Sequence, residues 1–100
     1  MRDYRFTVTF APAGYTEEDA ERLHDAAEGY CHERGPVVDL DRGRGLMSLT
    51  ITVEAETYPE AVSDGASVTG AVFSRSGLEF RDVTDVHVAL DAPERELQPA

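Results

Sequence analysis

The sequence predicts an α+β domain whose elements follow the order β-α-β-β-α-β, and three patterns carry that expectation. YRFTVTF near the N-terminus and LMSLTITVEA in the middle alternate apolar and polar residues, the period of a strand that buries one face. Two longer segments repeat apolar residues at helical spacing, each with capping residues before it and a glycine after it. Between VVDLD and LMSLTITVEA, the residues RGRG form the turn of a hairpin, which sets two of the strands side by side.

In the first strand Tyr4, Phe6, Val8 and Phe10 share one side and Arg5, Thr7 and Thr9 the other. APAGYT follows as a turn. Thr16 is placed to cap a helix, Glu17, Glu18 and Asp19 complement the positive end of its dipole, and Tyr15 is placed to staple against Ala20. The helix is expected to run to about Arg34, stopped by Gly35 and Pro36, with Ala20, Leu23, Ala27, Tyr30 and Cys31 on its buried stripe. In the hairpin, Gly43 and Gly45 allow the positive φ that such loops need, and Met47, Leu49, Ile51, Val53 and Ala55 point inward. TYPE is a capping box, with Thr57 as N-cap and Glu60 as its partner. The second helix should end near Ser76 with Gly77 as its cap, burying Tyr58, Val62, Gly65, Ala66, Thr69, Val72 and Phe73. DVTDVHVAL is the last strand, with Val86, Val88 and Leu90 on one face, and GLEF before it is either a short extra strand or an apolar loop. The domain thus spans residues 1–90, and residues 91–100, with two prolines and little apolar content, read as a frayed tail.

A chain of 100 residues with 41% hydrophobic content has enough for one core and not for two. Twenty acidic residues against nine basic ones give a formal charge of −11, a surface that repels phosphate backbones and disfavours DNA, RNA and anionic membranes as partners. No apolar run approaches the roughly 18 residues that cross a bilayer, and MRDYRFTVTF alternates where a signal peptide would be continuously apolar. A single cysteine forms no internal disulfide, so a soluble, cytoplasmic protein is expected. All nine cations are Arg and the chain has no Lys, Asn or Trp. Since Lys and Asn codons are A/T-rich, that bias points to a GC-rich bacterial genome.

The element order over residues 3–90 resembles the ferredoxin-like topology, a four-stranded antiparallel sheet in the order 4-1-3-2 with both helices on one face. That resemblance implies an outer sheet face presenting Asp85, His87 and Ala89, then Arg5, Thr7 and Thr9, then Ser48, Thr50, Thr52 and Glu54, then Val37, Asp39 and Asp41. RNA-recognition modules of this topology stack bases on aromatics from the two central strands, where this chain has Thr and Ser. Ferredoxins need several cysteines and copper-chaperone domains a Cys-x-x-Cys, against one cysteine here. Acylphosphatases rely on an Asn, absent from this chain, and on a basic loop where this chain has APAG. Amino-acid-sensing regulatory domains bind ligands near the first strand-to-helix loop and at a dimer interface, with which APAGYT is compatible. The topology hosts many functions, so function has to come from sites.

RLHDAAEGYCHERG, residues 22–35, holds His24, Cys31 and His32. Successive residues of a helix diverge by about 100°, which sends Cys31 to the core, His24 to the stripe's edge beside Glu28, and His32 out with the solvent-facing charges. No metal site is expected there. The second helix presents Ser63, Ser67, Gly70, Ala71 and Ser74 away from its core, a small uncharged face in a chain that is 29% charged. Such a face admits close approach by another backbone, so it is the expected interface of a homodimer. Pairing of two Val37–Asp41 edges is disfavoured, since Asp39 and Asp41 would oppose themselves. Arg5, Thr7, Thr50 and His87 on the outer sheet face are the candidate ligand-binding residues. No Gly-rich phosphate loop, nucleophile elbow or spaced carboxylate pair occurs. The expected function is a small acidic interaction or regulatory module working by protein contact without a cofactor. The alternative is a small-molecule sensor or carrier with its ligand at the sheet face or first loop. An enzyme ranks third, with His87, Arg5 and His24 as its only candidate actors.

Overall fold

Strand β1 (Arg2–Pro12) buries Tyr4, Phe6, Val8 and Phe10 on one side and turns Arg5, Thr7 and Thr9 to the other, as its alternation requires. The computed structural model describes residues 1–12, 17–78 and 80–90. Thr16, Tyr15 and the tail from 91 to 100 lie outside the described residues, and with them the expected cap, staple and frayed end. Helix α1 (Glu17–Cys31) passes into one 3-10 turn, His32–Arg34. Gly35 then takes the left-handed conformation at φ 58, its N–H donating to the His32 carbonyl at 3.1 Å, so the stop falls where Gly-Pro was expected to put it.

Strands β2 (Val37–Asp41) and β3 (Leu46–Ala55) form the hairpin. Gly45 has φ 67, whereas Gly43, also expected at positive φ, does not: one left-handed residue suffices to close the turn. All five inward residues of β3 are buried. Helix α2 (Tyr58–Ser76) starts on its capping box, the Glu60 N–H donating to Thr57 Oγ1 at 3.3 Å. The return bond is made one residue early, from the Glu56 N–H to Glu60 Oε2. Gly77 caps the other end at φ 66. Of GLEF, Gly77 is the helix cap, Leu78 is buried, Glu79 lies outside the described residues, and Phe80 opens β4 (Phe80–Leu90).

The four strands form one antiparallel sheet in the order β2-β3-β1-β4, which read from the other edge is 4-1-3-2. Both helices pack into a single core with the inward side chains of β1 and β3: Leu23, Ala27 and Cys31 from α1, and Ala61, Val68 and Val72 from α2. Phe10 meets Phe73 edge to face, ring centres 5.0 Å apart. Two hydrogen-bonding devices close the helix pair. The Arg22 guanidinium of α1 donates to the Ser76 carbonyl at 3.1 Å, a cation at the negative end of α2. Arg34 reaches Asp64 at 3.2 Å and the Thr52 carbonyl at 3.5 Å.

Two expected stripes are corrected. Tyr30 is 40% exposed, its ring under the Arg75 guanidinium at 4.5 Å, so a cation from α2 and solvent replace the core as its surroundings. On α2 the buried residues are Ala61, Gly65, Val68, Thr69, Val72 and Ser76, whereas Tyr58 and Ala66 are exposed and Val62 and Phe73 half-buried. The contact of Gly65 with the Phe6 ring sets that rotation. It draws small Ala61 beneath the helix and leaves bulkier Tyr58 to one side. The buried Thr69 hydroxyl is satisfied within the helix, donating to the Gly65 carbonyl at 2.8 Å.

Candidate functional site

Register, which no single strand contains, brings the four candidate ligand-binding residues together. Thr7 lies directly opposite Thr50 on one side and His87 on the other, and Thr50 lies opposite Val37, so one row crosses the sheet as Val37, Thr50, Thr7, His87. Arg5 stands in the next row between Thr52 and Ala89. The Thr7 and Thr50 hydroxyls hydrogen-bond each other at 2.9 Å, which commits part of their capacity within the sheet. A neighbouring row reads Asp39, Ser48, Thr9, Asp85. Towards the hairpin it borders an open hollow of about 210 Å³ that also holds Asp41, expected on the outer sheet face, and Arg44, which the sequence marked only as turn chemistry.

Across α1 and the 3-10 turn that follows it, a carboxylate joins the two histidines that helical rotation separates. Glu28 lies four residues from each of them, its Oε2 2.5 Å from His32 Nδ1 and its Oε1 3.6 Å from His24 Nε2. The angle between the two imidazoles hides this link, although both i, i+4 spacings to Glu28 are legible in the sequence. The hydrogen bond with His32 holds the Glu28 carboxyl below its ordinary 4.5, and the same bond raises the His32 imidazole above its ordinary 6.5. His32 therefore stabilises the fold fully below pH 6.5 and loses that contribution as pH rises through its raised pKa. Glu28 contributes above pH 4.5 and loses its part as pH falls through its lowered pKa. The pair supports the helix most fully between 4.5 and 6.5. In an NMR titration the His32 ring should titrate above a free imidazole in the native chain and fall back in Glu28→Gln. An unchanged midpoint would refute the pairing. Among the described residues no three His, Cys, Asp or Glu side chains are grouped to hold a metal ion.

Cys31 is 1% exposed, as its helix phase requires, and burial, the largest cause, pushes its thiol above the ordinary value, with Glu33 adding to the rise. A thiol reagent should label the native chain far more slowly than the denatured one. Equal rates in the two states would place Cys31 outside the core.

Two surfaces remain. On α2, Ser63, Ser67, Gly70 and Ser74 are exposed and Ala71 is half-buried, and the exposed Ala66 widens this uncharged face. On the sheet, α2 packs mainly over β3 and β1, and α1 over β2. Residues of β4 on the same side as the core are left partly bare: Val86 pairs with buried Val8 yet is 50% exposed, Leu90 pairs with buried Tyr4 yet is 48% exposed, and Val83 opposite Phe10 is 46% exposed. The alternation of DVTDVHVAL implies that Val86, Val88 and Leu90 share a face, not that the helices leave it open. Among the described residues no helix is long and apolar enough to cross a membrane. In comparisons with known proteins, the chain matches no family model, no curated sequence and no solved structure.

Proposed function

We propose that this chain is a ferredoxin-like sandwich that acts as an interaction or regulatory module through protein contact, as a homodimer in a bacterial cytoplasm. The strand order and the shared core of both helices support the ferredoxin-like reading. The observation that carries the function is the half-bare apolar side of β4, which prolongs the core face of the sheet beyond its helical cover. The uncharged face of α2, with Ser63, Ser67, Gly70, Ala71 and Ser74, is a second contact surface whose desolvation strips no ions. The charge of −11 supports a protein partner over a nucleic acid or an anionic membrane.

The alternative is a sensor or carrier. It is favoured by the row of Thr50, Thr7 and His87 with Arg5 beside it, hydroxyl and cationic groups on one polar face. A thermal-shift screen against metabolites combined with light scattering separates the two. Self-association without a metabolite response supports the contact module. A monomer stabilised by several degrees favours the sensor, since a ligand at about 100 times its Kd adds about 2.7 kcal/mol.

A further inference from the structure

We propose that the partner is a second copy of this chain, joined by antiparallel pairing of β4 with β4 about a two-fold axis at Val86. This rests on the contact-module reading and names both its occupant and its register. Among the described residues the sheet has two edges, β2 and β4, each hydrogen-bonded to a neighbour strand on one side only. An exposed edge offers its free backbone groups to any extended strand unless charge, proline, shortness or a bulge blunts it. β2 is five residues long and carries Asp39 and Asp41, which a two-fold would set against their own copies or close to them. β4 is eleven residues long. From Val83 to Leu90 it reads VTDVHVAL, with one carboxylate and no proline. Its pairing with β1 shifts register twice, beside Thr9 and Phe10 and beside Ala11 and Pro12; both shifts fall before Asp85 and leave Asp85 to Leu90 in regular pairing.

The order of side chains selects the register. Residues directly opposite in an antiparallel pair lie on the same face, so a two-fold axis must pass through a residue facing its own copy. With the axis at Val86, Asp85 faces His87 of the second copy and His87 faces its Asp85, giving two identical carboxylate–imidazole contacts on the polar face. On the other face Val86 meets Val86, and Val88 lies diagonal to it, so side chains half bare in one chain cover each other in two. An axis at His87 instead sets imidazole against imidazole and Asp85 against Ala89. An axis at Val88 pairs Val86 with Leu90 on the apolar face but leaves His87 opposite Ala89 and Asp85 without an imidazole. Of these axes only the one at Val86 sets a carboxylate against an imidazole while facing bare Val86 with its own copy. The product is a continuous eight-stranded sheet, with the row of Thr50, Thr7 and His87 running on into the Asp85 row of the other copy.

The test is sedimentation of the full chain over a wide concentration range at physiological salt. The unmutated chain should dimerise. Asp85→Arg, exposed and facing solvent in the monomer, should weaken the dimer about tenfold or more, because symmetry removes the accepting carboxylate from both contacts and sets a guanidinium against each imidazole. Adding His87→Asp to Asp85→Arg rebuilds the pair with its sign reversed and should restore the unmutated affinity within a few-fold. A dimer indifferent to Asp85→Arg, or one that the double variant fails to restore, overturns the pairing. A dimer that survives Asp85→Arg and is lost in Ala71→Glu or Ser67→Arg also overturns it, while the contact-module reading stands with α2 as its surface. A chain monomeric throughout, whose melting temperature rises with a metabolite, overturns both.

Discussion

Replacing Phe10 by Ala should lower the free energy of unfolding by about 3–5 kcal/mol, the range for removing a buried aromatic ring and leaving a cavity. Phe10 is fully buried at the end of β1, where it packs edge to face on Phe73 with the two rings 83° apart. Its loss also opens a route for water to Met47, its cross-strand neighbour, which is 1% exposed. A domain of this size has about 5–15 kcal/mol in all, so the variant should be close to the limit of folding at 37 °C. Urea denaturation followed by circular dichroism measures the effect. Phe10→Leu fills most of the volume and should be much milder, retaining all but the ring–ring term of about 0.5–1.5 kcal/mol and a small cavity. A loss below about 1 kcal/mol in Phe10→Ala would mean that this end of the sheet collapses to fill the space, contrary to the packing described.

Gly65→Ala should also destabilise, against the preference of an isolated helix. Helix propensity alone favours Ala over Gly by about 1 kcal/mol. Yet a β-carbon at position 65 would come within 2.7 Å of three atoms of the Phe6 ring, including Cγ, which sits at the root of the side chain and cannot swing aside. Phe6 is 1% exposed in the middle strand pair, so the ring has no free space to enter. Overpacking of this kind costs about 1–3 kcal/mol or more, and the close approach places it at the upper end, outweighing the propensity gain. The net loss should be roughly 1–2 kcal/mol by chemical denaturation. Phe6→Leu combined with Gly65→Ala should recover part of it, with a coupling of about 0.5–3 kcal/mol in the double-mutant cycle. A stabilised Gly65→Ala variant would show that α2 does not lie as close to the sheet as Gly65 permits.

Elements whose causes lie next to one another along the chain are legible in the amino-acid sequence. The alternation of YRFTVTF and LMSLTITVEA places β1 and β3, including every buried residue of β3. TYPE sets the first turn of α2, and Gly35 and Gly77 set two ends, because capping is a bond between residues a few positions apart. The helical phase of α1 holds for Cys31 and for Leu23, both of which are buried. It fails at Tyr30, an amphipathic side chain whose place depends on an Arg from the other helix.

By itself, then, the sequence determined the order and approximate ends of the main elements, the inward side chains of the strands, and the acidic, single-cysteine character that bounds the partners. The rotation of α2, the helices' placement over β2, β3 and β1, and the bare side of β4 were decided only in the tertiary structure. The row that brings Thr50, Thr7 and His87 together from three strands belongs to the same class. The physical reason is common to all of them. Propensity, capping and alternation act through neighbours in the chain, whereas helix rotation and strand register follow from the volumes of side chains far apart in sequence. Here the Phe6 ring and the missing side chain of Gly65, 59 residues later, fit against each other and carry the rest of α2 with them.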